Sequence, residues 1–209
     1  MGTNRLPIHF DQRKIFMNQK LTLIGTAILA VLVLAAGVLI ATRRPSFRGT
    51  MINPQAPAAE IKLTDSNGQP FTLSSQRGKI VLLYFGYTNC PDECPTTMAK
   101  LKLTMGILGN LAQNVQAVMV TTDPVRDNPD QMKKWLTGFY PTFLGLTGTA
   151  DLLRQTYSAY GVVVEDGGET HSTYLYVIDS KGNLRLTFDG PSMDPQDVAD
   201  DVQTLIKGY

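Results

Sequence analysis

The sequence predicts an α/β sandwich carried behind a single apolar helix, and three observations predict it. Residues 21–41 (LTLIGTAILAVLVLAAGVLIA) contain neither charge nor proline and are long enough to cross a bilayer as a helix. Two short runs rich in strand formers, 80–85 and 115–121, are each followed by a stretch with apolar residues at helical spacing. Two more strand-like runs around a polar turn then lead into a last amphipathic segment.

The chain has 209 residues and 43% apolar composition, enough for one domain with its own core plus an extra piece. The extra piece is the N-terminal run. A cleaved signal peptide competes with the anchor reading, but 21–41 exceeds the usual signal core and no small-x-small site precedes Arg43 and Arg44. No cysteine follows the run closely, so a lipid-attached form is not expected. Arg5, Arg13, Lys14 and Lys20 precede the run and Arg43, Arg44 and Arg48 follow it, so charge barely orients it. The short tail 1–20 is assigned to the cytoplasm. It lacks an Arg/Ser-rich presequence, which favours a bacterial plasma membrane with the domain on the extracytoplasmic side. Residues 1–44 hold six of the 19 Lys/Arg and one of the 18 acids, leaving a formal net of −4 on 45–209. A mildly acidic domain without a basic cluster excludes nucleic acid as a partner.

Residues 42–59 read as a tether, with Pro45, Pro54 and Pro57 among small and polar side chains. Fully extended, it would reach about 60 Å. The domain is expected over 60–209. Short strands are predicted at 60–64 and 70–74 around Asp65-Ser66-Asn67-Gly68, whose Asn-Gly suits a tight hairpin. The buried strand 80–85 follows and breaks at Gly86. Pro95 suits the first position of the next helix. There Met98, Leu101, Met105 and Leu108 share a stripe widened by Ile107 and Leu111. Strand 115–121 leads to a polar loop, 122–127, and Asn128 caps a helix that opens on Pro129. Met132, Trp135, Leu136 and Phe139 share one face of that helix, a pattern of core packing. A helix at 149–160 carries Leu152, Leu153, Thr156, Tyr157 and Tyr160; strands at 174–178 and 184–188 flank the turn 179–183. The last helix starts near Pro195 and shows Val198, Val202, Leu205 and Ile206 on one side. Such an alternation describes an α/β sandwich of thioredoxin type.

The chemistry concentrates in the turn after strand 80–85. It holds the only two cysteines of the chain, Cys90 and Cys94, at the mouth of the sheet and the start of a helix. The positive end of a helix dipole favours thiolates. The four-residue step lets both sulfurs converge on one ion or join as a disulfide, although the same spacing also suits an inert buried pair. Only His9 and His171 could supply an imidazole. With the anchor in place His9 lies across the membrane, so only His171 could join the cysteines, from just before a strand at 172–178. Two thiolates and one imidazole fall short of the four ligands of structural zinc, and soft sulfur favours Cu(I) while mixed sulfur and imidazole also hold Cu(II). Asp123 either supports such a site at a strand end or caps its own Asp-Pro turn.

Residues 85–95, Phe-Gly-Tyr-Thr-Asn-Cys-Pro-Asp-Glu-Cys-Pro, resemble the signature of the Sco/SenC proteins, copper chaperones for cytochrome c oxidase assembly. The similarity extends through Phe47-Arg48-Gly49, Gly78-Lys79, Asp123-Pro124-Val125-Arg126-Asp127 and His171-Ser172, and covers nearly all of 47–209. The resemblance implies a thioredoxin-like fold tethered by one N-terminal membrane helix, and copper held by Cys90, Cys94 and His171. It further implies a client, the binuclear copper site of cytochrome c oxidase subunit II, to which the protein delivers copper or whose cysteines it reduces. Another copper chaperone or a thiol reductant would then be a partner. Three positions depart from the pattern: Asn89 where histidine is common, Glu93 where an apolar residue is usual, and Thr170 where an acid often precedes the ligand. None removes a ligand.

The competing reading is a thiol–disulfide oxidoreductase cycling Cys90 and Cys94 without a metal. A peroxidase of the peroxiredoxin type needs a threonine three residues before its reactive cysteine, and Tyr87 stands there.

Overall fold

The computed structural model describes residues 25–26, 28–39, 46–165 and 170–209. It divides into two units, Met1–Arg44 and Pro45–Tyr209. In the first, 28–39 are helical, with Ile28, Leu29, Val31, Leu32, Leu34 and Val38 all exposed. Among the described residues no helix is long and apolar enough to cross a membrane. The tail 1–20, with His9, and residues 21–24, 27 and 40–41 of the expected anchor lie outside the described residues.

The second unit runs, in order, β1 (Thr50–Pro57), β2 (Lys62–Asp65), β3 (Pro70–Thr72), β4 (Ile80–Gly86), α1 (Glu93–Leu108) and β5 (Val115–Thr121). It continues with α2 (Pro129–Thr137), β6 (Leu144–Thr147), α3 (Ala150–Ala159), β7 (Val164–Glu165) and β8 (Thr170–His171). It ends with β9 (Tyr174–Ile178), β10 (Asn183–Asp189) and α4 (Pro195–Ile206). Eight strands form one sheet in the order β1-β10-β9-β4-β5-β6-β2-β3, and β7 pairs with β8 apart from it. β4, β5 and β6 are parallel, with α1 and α2 as crossovers, and β9 closes antiparallel on β4. Central strands covered on both faces read as unbroken apolar runs. Every residue of β4 and β5 is buried.

Alternation along β4 divides the core. Ile80, Leu82 and Tyr84 face α1, α2 and α4, where Met98, Leu101, Met105, Met132, Val198 and Val202 pack. Val81, Leu83 and Phe85 face the other way, onto Ile61, Phe71, Leu153 and Tyr157. This is the expected thioredoxin-like layering, and its consequence for the site is direct: Tyr84 points at the helix that carries Cys94.

Several expectations are met at the residue. Asn128 accepts from the Gln131 amide at 2.9 Å with Pro129 at the start of α2, and the helix expected over 149–160 is α3, Ala150–Ala159. The turn after β2 is held by Asp65, whose Oδ1 accepts from the Asn67 and Gln69 amides at 2.8 and 2.9 Å.

Others are corrected. Residues 50–57 of the expected tether are strand β1, paired with β10. Pro54 and Pro57 argue against a central strand, but an edge strand loses nothing by missing donors on its outer side. Arg48 and Gly49 are also tied down, both amides donating to the buried Asp201 carboxylate at 2.8–3.0 Å. Strand β6 was not expected. Leu-Gly-Leu-Thr is too short for a periodic signal, yet Gly145 lets α2 lie close on it: a Cβ there would sit 2.7 Å from the Met132 side chain. Helix α1 starts at Glu93, so Pro95 is its third residue rather than its first. Ile107 and Leu152 are exposed, at 42% and 40%, and lie outside the core clusters. His171 lies in the separate hairpin β7–β8 rather than leading directly into β9.

Candidate metal centre

β4 ends on Gly86 at the C-terminal edge of the sheet, and the next six residues turn the chain into α1. This turn is pinned from below. The buried Asp127 accepts from the Thr88 amide at 3.1 Å and from the Thr88 and Thr121 hydroxyls at 2.5 and 2.8 Å. Burial pushes the Asp127 carboxyl above the ordinary range, against the pull of the Thr88 and Thr121 bonds. The Thr122 amide donates to Gly86 O at 3.0 Å, tying the two strand ends together.

Within this frame the two sulfurs differ. Cys94 is fully buried and Cys90 half-buried; both are free thiols. Cys90 Sγ accepts from the Cys94 amide at 3.4 Å. A sulfur thus takes the place of a side-chain cap, since the N-cap residue Asp92 makes no capping bond. The positive end of α1 therefore acts on Cys90, not on both cysteines as expected. Cys94 sits inside the first turn, where burial pushes its thiol up to about 12. It is protonated at neutral pH.

His171 is brought to Cys94 across 77 positions of sequence, with Nε2 3.6 Å from Sγ. The other ring nitrogen, Nδ1, lies 3.1 Å from Ser172 O. A carbonyl only accepts, so Nδ1 carries the proton and Nε2 presents its lone pair to the sulfur. The Cys94 thiol accordingly donates to Nε2. Tyr84 completes the chain, its hydroxyl donating to Cys94 Sγ at 3.7 Å. Burial holds that phenol far above its ordinary range, so it remains a donor. Tyr84 and Tyr87 both set ring edges against the imidazole, with centroids 6.2 and 5.8 Å away.

Asp123 is buried, and its carboxylate is engaged within its own loop. It accepts from the Arg126 amide at 3.4 Å and pairs with the Arg126 guanidinium, capping its own turn. Arg126 lies 5.8 Å over the Tyr87 ring. Asp123 is thus linked to His171 through two side chains, Arg126 and Tyr87. The residue that does hold the cysteine turn is Asp127, four positions on, whose carboxylate the sequence reading left unassigned. Tyr84 was equally unassigned, although period-two counting along β4 would have aimed it at α1. Asn89 and Glu93, two departures from the family pattern, are exposed, and the side chain of Thr170 lies outside the described ones.

Among the described residues no three His, Cys, Asp or Glu side chains form a ready-made metal cluster. Cys94 and His171 are in contact, and Cys90 reaches them through the Cys94 amide. The donor set is nevertheless chemically coherent. Two sulfurs and one imidazole with a directed lone pair suit a soft or borderline ion and fall one ligand short of structural zinc.

The SCO1/SenC family pattern matches residues 50–207. Protein SCO2, mitochondrial, of Saccharomyces cerevisiae is 30% identical over 202 residues, covering 88% of this chain and 67% of its own. The structure of Bradyrhizobium japonicum ScoI with copper bound shares 32% identity and superposes with TM-score 0.66, over 72% of this chain and 99% of that one. Yeast Sco1 with copper bound, also 32% identical, superposes with TM-score 0.64 over 74% and 90%. With its sheet order, its Cys-x3-Cys turn and its family pattern in agreement, the chain belongs to the SCO1/SenC family.

Proposed function

We propose that the protein is a membrane-tethered copper-binding protein that serves cytochrome c oxidase assembly. It delivers copper to, or reduces the cysteines of, the binuclear copper site of subunit II. One observation carries this reading: an imidazole lone pair and a cysteine sulfur, 77 residues apart, stand 3.6 Å from each other beside a second cysteine. Cys90, Cys94 and His171 are the proposed ligands. Two relatives of the same fold are described with copper bound, which supports the choice of ion.

Copper is cargo here, and the chain's own residues set how it is taken up. Binding displaces the proton that the Cys94 thiol now donates to Nε2, so capture releases protons and strengthens as pH rises. Cys90, half-buried and held by a single amide, turns its sulfur onto the ion. Three ligands of soft character hold Cu(I) and, with the imidazole, Cu(II). A fourth position left open suits transfer to another protein. Helical residues 28–39, apolar on every side, support the anchor reading of 21–41, and a tether would concentrate the domain near a membrane-bound client. A bacterial plasma membrane, with the domain on the extracytoplasmic side, is the proposed location.

A second reading, thiol–disulfide exchange without metal, is favoured by the asymmetry of the sulfurs: Cys90 is reachable and Cys94 is enclosed. His171→Ala separates the two. The copper reading expects Cu(II) affinity to fall at least tenfold while the Cys90–Cys94 disulfide still forms. Equal Cu(II) affinity with and without the imidazole would favour the oxidoreductase.

A further inference from the structure

We infer that the Tyr84 hydroxyl tunes the sulfur of Cys94, setting how readily the cysteine pair is oxidised and how strongly that sulfur donates to copper. The second half rests on the copper reading above; the first does not.

Buried phenols normally spend their hydroxyl on a backbone carbonyl. Three others in this fold do so: Tyr157 donates to Thr121 O at 2.5 Å, Tyr160 to Ala59 O at 2.7 Å and Tyr176 to Tyr160 O at 3.0 Å. Tyr84 instead donates to a sulfur, an intrinsically weak acceptor. The Thr97 side chain also lies beside this phenol, but the hydroxyl is placed on the sulfur. Tyr84 is fully buried on β4, between β5 and β9, and its ring is wedged between the strand and α1. Gly86, the next residue on that face, has to be bare: a Cβ there would stand 2.6 Å from the Tyr84 ring and 2.9 Å from Cys94 Sγ.

A hydrogen bond to sulfur gains strength with the electron density the sulfur carries, because the interaction is electrostatic. A disulfide sulfur carries little, a thiol more, and a metal-bound thiolate most. The same hydroxyl therefore stabilises the reduced pair over the disulfide. By withdrawing density from a metal-bound thiolate, it also raises the energy needed to move an electron from sulfur to Cu(II). Tyr84 forms no bond to the ion and is a positioning residue.

The test is the equilibrium between the full-length protein and glutathione, without metal. Oxidised glutathione accepts two electrons and its S–S bond breaks to give two thiols. Cys90 and Cys94 lose two protons and two electrons and form the new S–S bond. Tyr84→Phe should shift this equilibrium toward the protein disulfide by about threefold, or ~14 mV at 29.6 mV per tenfold. Tyr160→Phe, which also deletes a buried hydroxyl, should leave it where it is in the wild type. In the copper-loaded protein, Tyr84→Phe should move the sulfur-to-Cu(II) charge-transfer band to lower energy.

An unchanged glutathione equilibrium in Tyr84→Phe overturns the inference whatever the band does. A wild type with no band at all overturns the copper reading and leaves the glutathione result to decide on Tyr84. Should Tyr84→Phe fold poorly, the wild type itself answers. Its Tyr84 hydroxyl proton should give a slowly exchanging NMR resonance that moves when the disulfide closes, and a resonance indifferent to cysteine oxidation refutes the inference.

Discussion

Asp127 and Gly86 decide the cysteine turn by opposite means, one by supplying bonds and the other by supplying space. Asp127→Ala strands the Thr88 amide and two threonine hydroxyls in a buried site and should cost about 3 kcal/mol. A loss of that size lowers the melting temperature of a domain this large by roughly 6–12 °C. Asp127→Asn keeps an acceptor and loses the charge, so it should cost much less. Gly86→Ala pushes a methyl into the Tyr84 ring and Cys94 Sγ; calorimetry should show a loss of about 1–3 kcal/mol. Copper affinity should fall with it, because the strain falls on the sulfur. At this scale the chain offers few soft ligands, the family resemblance singled out Cys90, Cys94 and His171, and the fold sets the His171 ring beside Cys94. Asp127 was not legible, because nothing in Asp-Pro-Val-Arg-Asp says which carboxylate turns inward. The pairing of Asp123 with Arg126 leaves Asp127 to the turn.

Among the elements, the central strands and the capped helices were readable because their signals are local: apolar runs in β4 and β5, Asn128-Pro129 before α2. The failures were contacts made at a distance. β1 is a strand only because β10 offers it an edge, and β6 only because α2 covers it. The hairpin β7–β8 carries His171 to Cys94, and a two-residue strand has no period to read. Asp201 is the residue on α4 that fastens the start of β1, by accepting the Arg48 and Gly49 amides. Asp201→Ala should therefore loosen β1 before anything else. Hydrogen exchange at Arg48 and Gly49 should speed up markedly while the amides of β4 and β5 keep wild-type protection; uniform loss across the sheet would contradict this assignment.

For the molecule as a whole, buried carboxylates set the pH profile. Burial raises Asp127 and Asp201 above the ordinary carboxyl range in spite of the amides and hydroxyls they hold. A folded-state value above the unfolded one means stability that is complete below the unfolded pKa and is lost as pH rises through the folded value. Asp179 runs the other way: burial pushes it up, but the Asn183 amide and the Arg185 guanidinium hold it below its ordinary range. Its contribution is present above the unfolded pKa and lost as pH falls through the folded one. Melting temperature against pH should therefore show a shallow decline on the way from about pH 4 to neutrality. Asp127→Asn should flatten that decline, and Asp179→Asn should flatten the acid limb instead.

The central claim is that Cys90, Cys94 and His171 close on one copper ion, and X-ray absorption fine structure of the reduced full-length protein loaded with one equivalent of Cu(I) tests it most directly. The expected spectrum has two sulfur scatterers and one imidazole around copper, with the imidazole lost in His171→Ala. A wild-type spectrum with sulfur alone, unaltered by that substitution, would contradict it.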